Sequence, residues 1–245
     1  MRLTVLGSGS AGNGYVLQND NEALVLECGM PIKDCLAVLG WDSKKVAGCL
    51  LTHEHGDHAK YVDDYMKHFR VYTSAGTASA IKYRSSFRPT VVSPVEYFEL
   101  GGFQVMPFEA EHDAAQPFCF LIDHEEIGRL LFATDTYFVR YTIQDMTAMM
   151  VECNYSLPIL NENVASGLVP EALKKRTLES HMSITTLKKM LDANDLSHVS
   201  RIVLIHTSGR NGDKRAFVDA IEAQTGIPTS VAEKGLTIEI LKTGI

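Results

Sequence analysis

Within the run Thr52-His53-Glu54-His55-Gly56-Asp57-His58, four side chains (His53, His55, Asp57 and His58) are ligands for divalent cations. They follow Gly48 to Leu51, an apolar run suited to a buried strand. Residues two apart at a strand end project to the same side, so His53 and His55 are expected to share one cation, while Asp57 and His58 turn toward a second as the next helix begins. With nine histidines in 245 residues, a His-x-His-x-Asp-His run arises by accident on the order of once in a thousand such chains. Three later residues stand where a chain returns to such a site, each at the end of an apolar strand-like run: His112 after Phe103 to Phe108, Asp135 after Leu130 to Ala133, and His206 after Ile202 to Ile205. They complete His53, His55, His112 and Asp135 for one metal and Asp57, His58, Asp135 and His206 for the other, with Asp135 bridging. His68, His124 and His198 fall outside the set and read as surface or capping residues.

The elements that must carry these residues follow from periodicity. Short strands are predicted over Leu3 to Leu6, Tyr15 to Gln18, Ala23 to Cys28 and Val46 to Leu51. The glycine-rich stretch Gly7 to Gly14 leads into a strand and not a helix, so the dinucleotide-binding pattern of strand, glycine turn and helix fails there. A helix is predicted from past Pro31 to Leu39, another over His58 to His68, then a strand over Val71 to Thr73 and a helix over Ala75 to Lys82. Val91 to Cys153 reads as almost purely strand. Helices follow near Pro170 to Leu178, Ser183 to Leu191 and Lys214 to Thr225, with strands at Ile202 to Ile205 and Leu236 to Leu241. Strand-rich halves with helices outside them point to an α/β protein of two packed sheets between helix layers. No linker, repeat or low-complexity stretch divides the chain, so one domain over residues 1–245 is expected.

Composition narrows the function classes. No apolar run approaches the roughly 20 residues that cross a bilayer, and no basic, then apolar, leader opens the chain, which implies no membrane span and a cytoplasmic location. The five cysteines are scattered without a Cys-x-x-Cys pair, so neither a disulfide framework nor a thiolate zinc site is expected. A net charge of −7 argues against non-specific wrapping of nucleic acid while leaving room for a local basic patch. Imidazole and carboxylate donors without thiolate suit zinc, manganese or iron.

The run His53 to His58, followed in order by His112, Asp135 and His206, resembles the metallo-beta-lactamase fold over nearly the whole chain. That resemblance implies a four-layer αββα sandwich with a dinuclear site on one edge. Four stretches are similar to the small YycJ-like, or WalJ-type, branch: Gly7 to Asn13, His112-Asp113-Ala114, Glu152-Cys153-Asn154-Tyr155, and Leu173 to Arg176 leading to Ser180-His181-Met182-Ser183, with His206-Thr207-Ser208 closing. The chain departs from that pattern at Ser180, Met182 and Thr207, and has Glu27-Cys28-Gly29 where an aspartate is usual.

Members of that branch are regarded as metal-dependent DNA exonucleases, and related small proteins occur in phage recombination cassettes. The resemblance therefore implies two divalent ions per chain, manganese in action with zinc as competitor, and DNA as substrate. For a chain from such a cassette it also implies a single-strand annealing protein as partner. A hydrolase of small phosphodiesters such as cyclic nucleotides, on the same site, is the alternative within the fold; a binding protein with a decayed site is the alternative outside catalysis.

Cleavage of a phosphodiester needs an activated water and a proton for the departing alkoxide. Asp57 is placed to accept the water's proton, and His181, which the family sets beside the metals, is the candidate general acid. Capping of the helix beginning near Ser183 is the competing role for His181. Lys174, Lys175 and Arg176 form the sharpest basic run in the chain and are candidates for a phosphate-binding rim, competing with a role as a solvated face. Ser10 and Asn13 are candidates to add neutral donors to a phosphate oxygen.

Overall fold

Alternate side chains of the first strands part to two faces. In β1 (Arg2–Gly7) Leu3 and Val5 enter one apolar cluster and Leu6 another; Tyr15 and Leu17 divide from Val16 in β2 (Gly14–Gln18), and Leu24 and Leu26 from Val25 in β3 (Ala23–Leu26). Strands apolar on both faces need a covering layer on each side, and the computed structural model provides it. It describes residues 1–82 and 86–242; residues 83–85 and 243–245, which the single-domain expectation over 1–245 includes, lie outside the described residues.

After α1 (Ile32–Val38), β4 (Val46–Leu50) adds in parallel to β3, followed by α2 (Gly56–Ala59), α3 (Val62–Tyr65), β5 (Val71–Thr73), α4 (Ala75–Ala80) and β6 (Thr90–Val91). The second sheet opens with four antiparallel strands, β7 (Phe98–Leu100), β8 (Phe103–Glu109), β9 (Phe118–His124) and β10 (Gly128–Ala133). β11 (Met146–Glu152), the helices α5 (Leu157–Ala165), α6 (Glu171–Ser180) and α7 (Ile184–Asp192), β12 (Arg201–Ile205), α8 (Lys214–Thr225) and β13 (Thr229–Val231) continue it in parallel. β14 (Thr237–Glu239) then crosses back to pair with β1, Leu3 opposite Ile238. The two seven-stranded sheets run β14-β1-β2-β3-β4-β5-β6 and β13-β12-β11-β10-β9-β8-β7.

Between the sheets Leu3, Tyr15, Leu24 and Leu26 meet Phe103, Phe120, Phe132 and Val203, and the Tyr15 and Phe132 rings meet edge-on at 5.7 Å. Outside, Cys35, Leu36, Tyr65 and Phe69 cover the first sheet, while Leu187 and Leu191 of α7 and Phe217 and Ile221 of α8 cover the second. The layers are therefore αββα, the metallo-beta-lactamase architecture. Truncating one such fully buried ring, Phe132, to alanine costs about 3–5 kcal/mol.

Two local expectations differ from the structure. The helix expected over His58 to His68 is two single turns, α2 and α3, because Tyr61 leaves helical geometry (φ −108°, ψ 15°) to donate its N–H to the Cys28 carbonyl. α5 escaped the periodicity because Leu160 alone among its residues is buried, which leaves no apolar stripe to detect.

Candidate metal centre

The predicted ligands reach one edge of the sandwich from the ends of four strands: His53, His55, Asp57 and His58 after β4, His112 after β8, Asp135 after β10 and His206 after β12. The backbone bends sharply to aim them. Asp135 (φ 42°) and His206 (φ 51°), together with Glu27 just past β3 (φ 70°), occupy the left-handed region, which costs an L-residue roughly 1–2 kcal/mol. Three such residues around one site are strain held by the surrounding packing. The loop also needs a glycine: a Cβ on Gly29 would lie 1.8 Å from the Asp57 carbonyl oxygen and 2.6 Å from the Asn13 nitrogen. Only a residue without a side chain lets the end of β3 pass that close to the metal-binding loop.

The side chains gather into two groups. Ligand atoms of His53, His55 and His112 lie within 4.8 Å of one another, as do those of Asp57, His58, Asp135 and His206. Asp135 joins them, with Oδ2 3.7 Å from His112 Nε2 and 4.0 Å from His53 Nε2, and Oδ1 3.3 Å from His58 Nε2 and 3.4 Å from His206 Nδ1. Two outward-facing ring nitrogens have hydrogen-bond partners: His53 Nδ1 meets Thr52 Oγ1 at 2.9 Å and His112 Nδ1 donates to the Ser180 carbonyl at 2.7 Å; His58 Nδ1 lies at ion-pair distance, 3.4 Å, from Glu27 Oε2 without a hydrogen bond. Such outer contacts fix the ring orientation of metal-binding histidines.

Whether a metal fits can be judged from the charges and from what is left unsatisfied. Burial, with His58 alongside, holds His53 well below the usual imidazole range, and burial also lowers His112. His58 and His206 are just as buried, yet Asp135 and Glu27 raise the first well above that range, and Asp135, Asp57 and Glu152 push the second up to about 10. Against the same burial, the histidines hold Asp57 and Asp135 below the usual carboxylate range. A divalent cation would take the place of these shared protons. His53 Nε2, buried and directed toward Asp135, has no hydrogen-bond partner, and a cation would satisfy its orphaned lone pair. The donor set fits divalent metal ions.

Glu152, at the buried end of β11, enters the sequence reading only through the family motif, and the fold gives it a part in the site that the sequence reading does not assign. Its Oε2 accepts the backbone N–H groups of Thr136 (3.0 Å) and Met182 (3.1 Å), while Oε1 lies 2.7 Å from His181 Nδ1 and 3.1 Å from His206 Nδ1. Glu152 thus locks both rings, which stack at 5.3 Å with 16° between their planes. Burial opposes a charge on His181, but the Glu152 carboxylate outweighs it and raises the imidazole above its ordinary value. The helix N-cap role belongs to Ser183, whose Oγ accepts from the Thr186 N–H, so the His181 side chain caps nothing. Asn154 Nδ2 donates to the His206 carbonyl at 2.8 Å, holding the residue's backbone. The sequence signal for Glu152 and Glu27 is the one that found Asp135, a carboxylate closing a buried strand.

A cleft of about 570 Å³ opens over the ligands, with His55, Asp57, His206, His181, Ser10 and Arg176 on its walls. The other substrate candidates are not brought there. Asn13 is fully buried, its amide nitrogen 3.0 Å from His58 Nε2 and 3.2 Å from the Gly9 carbonyl, and its oxygen accepts the Gly9 N–H at 2.8 Å. That amide braces the glycine-rich loop against the metal loop and has nothing left for a phosphate. Lys174 pairs with Glu171 at 3.5 Å, and neither it nor the exposed Lys175 lines the cleft, because helical spacing turns them from the face that carries Leu173, Arg176 and Thr177. Arg176 does line it, tied to Asp113 across the mouth at 2.7 Å. His124, expected as a surface or capping residue, is buried against the Phe103 ring with Nε2 3.2 Å from Glu22 Oε1, and its Nδ1 caps the following turn by accepting the Glu126 N–H at 3.1 Å; His68 and His198 are exposed. No helix among the described residues is long and apolar enough to cross a membrane.

Comparison with known proteins agrees with this geometry. Exodeoxyribonuclease YycJ of Bacillus anthracis is 26% identical over 253 residues, covering 97% of this chain and 92% of that protein. Exodeoxyribonuclease WalJ of Streptococcus pneumoniae is 24% identical over 230 residues, covering 87% and 84%. Among solved structures, Zn(2+)-bound PqqB from Methylobacterium extorquens superposes with a TM-score of 0.73 at 15% identity, covering 98% of this chain and 100% of that one. The model of the beta-lactamase superfamily domain matches residues 36–207, a span that holds every predicted ligand from His53 to His206, and the chain belongs to that superfamily of metal-dependent hydrolases.

Proposed function

We propose that this chain is a two-metal phosphodiesterase that degrades DNA from its ends. The observation that carries the reading is the group His53, His55 and His112 beside the group Asp57, His58, Asp135 and His206, with Asp135 reaching between them under an open cleft and a histidine locked beside them on a buried carboxylate. The names of the YycJ and WalJ relatives support the choice of DNA. His53, His55, His112 and Asp135 would hold one ion and Asp57, His58, Asp135 and His206 the other, a donor set suited to manganese or zinc. When bound, such ions activate water and offset charge on the phosphoryl oxygens.

The chain's own groups supply the proton transfers. Asp57, the most exposed of the carboxylate ligands at 22%, accepts the proton of the attacking water and orients it. His181, gripped at Nδ1 by Glu152, presents its other nitrogen to the departing oxygen and donates a proton there. Arg176 and Ser10, which both line the cleft, contact the substrate backbone.

One observation favours the second reading, hydrolysis of a small or cyclic phosphodiester: the cationic lining of the cleft is thin, and Arg176 is already paired with Asp113. The test is metal-loaded protein on end-labelled linear duplex, covalently closed circular DNA and cyclic mononucleotides. Digestion of the linear DNA alone is expected. Preferred turnover of the cyclic mononucleotides would replace the nuclease reading, and cutting of the closed circle would remove its dependence on ends.

A further inference from the structure

The turn that follows His206 carries polar side chains that the proposed chemistry leaves unused. Ser208 Oγ accepts the backbone N–H groups of Arg210 (3.4 Å) and Asn211 (3.1 Å). Asn211 is tied to α5, its Oδ1 accepting from Asn163 Nδ2 at 2.9 Å and its carbonyl from the Ser156 N–H at 2.8 Å. The turn is thus held in place against α5 and its N-cap residue.

Two of its side chains are unspent. Thr207 lines the cleft at 8% exposure, and its hydroxyl Oγ1 has no hydrogen-bond partner. A buried hydroxyl left unpaired is unfavourable unless a ligand completes it. Arg210 lines the same cleft, and among the described residues its guanidinium has no carboxylate at ion-pair distance. By contrast, Arg176 pairs with Asp113, Lys174 with Glu171 and Lys214 with Glu233. The exposed Ser10 lines the same cleft from the glycine-rich loop, whose neighbouring Gly9 sits close enough to the turn that a Cβ on it would lie 3.9 Å from the Thr207 carbonyl oxygen.

We propose that Arg210, Thr207 and Ser10 form a subsite for the phosphate next to the scissile one. A planar guanidinium binds two phosphate oxygens at once, and hydroxyls complete the remaining acceptors. A cleft with this subsite selects a substrate bearing at least two phosphates in succession, that is, a polynucleotide end, over a cyclic or isolated phosphodiester. The assignment to a neighbouring phosphate rests on the nuclease reading; the affinity of the subsite for a second phosphate does not.

The test is calorimetric binding of thymidine 3′,5′-bisphosphate, thymidine 3′-monophosphate and thymidine 5′-monophosphate to the metal-loaded protein, with hydrolysis of an end-labelled oligonucleotide followed in parallel. The wild type is expected to bind the bisphosphate about tenfold more tightly than either monophosphate, the contribution of one charge-assisted phosphate contact. Arg210→Ala should erase that ratio, Arg210→Lys should keep part of it, and Thr207→Val should reduce it with no loss of thermal stability, since the hydroxyl it removes has no partner. No bisphosphate preference in the wild type, or a wild-type ratio in Arg210→Ala, overturns the subsite. An Arg210-dependent preference in a protein that cuts no DNA upholds the subsite and refutes the nuclease reading instead.

Discussion

Replacing His181 by alanine separates proton donation from mere support of the site. A general acid contributes about 10²–10⁴-fold, and only when the leaving group needs a proton. Cleavage of DNA expels an alkoxide, whereas a nitrophenyl ester of thymidine 5′-phosphate expels a phenolate that leaves unprotonated. The structural cost of the change is bounded by the contacts it removes. Glu152 loses one of its four hydrogen-bonded neighbours and keeps His206 and the N–H groups of Thr136 and Met182. One charge-assisted bond corresponds to about 1.5–3 kcal/mol, which for a chain of 245 residues lowers Tm by roughly 3–12 °C. The variant therefore stays folded at 25 °C and holds its metals, since His181 belongs to neither ligand group proposed for them. Turnover of both substrates and Tm should be measured on the same preparations. DNA cleavage is expected to fall at least about 10²-fold while the nitrophenyl ester falls far less; equal losses on the two substrates refute His181 as the proton donor.

Charge reversal should sort the basic run by position. Arg176→Glu removes a cleft cation and sets two carboxylates against each other at Asp113, so DNA affinity should drop and its salt slope flatten by about 0.7–0.9. Lys174→Glu and Lys175→Glu, outside the cleft lining, should leave the slope unchanged, and a flattened slope in either would return them to the substrate. Gly29→Ala forces a Cβ against the Asp57 carbonyl and should cost about 3 kcal/mol, seen as a Tm lower by roughly 6–12 °C; an unaltered Tm contradicts that close approach. Chelation should destabilise the protein by about 4 kcal/mol for each ion held at a thousand times its Kd, again roughly 8–16 °C in Tm per ion. A Tm indifferent to chelator would mean that the ligand groups hold nothing.

What the sequence made legible was whatever depends on short-range order. The His53 to His58 run could be recognised because its ligands are neighbours in the chain. His112, Asp135 and His206 could be recognised because each closes an apolar run, and a buried strand leads its last residue to the sheet edge. Two packed sheets between helix layers followed from strand-rich halves flanked by helical stretches, and the four-layer αββα order from the family resemblance. Glu152 and Glu27 carry the same strand-end signal, but their role comes from contacts with His181, His206 and His58 that only the folded chain creates. Asn13 misled because a polar residue in a glycine-rich loop gives no sign of whether its amide faces substrate or protein. α5 has one buried residue, although Ser156 before it, Pro158 in its first turn and Gly167 after it were available as boundary signals.

The central claim is that the two groups joined by Asp135 are a dinuclear metal site. Elemental analysis of purified protein, reconstituted with manganese or zinc and freed of excess ion, tests it without reference to any substrate. Two divalent ions per chain are expected in the wild type, with one or none left in His53→Ala or His55→Ala. A wild-type content that stays at zero after reconstitution would contradict the claim, and with it every step of the proposed chemistry.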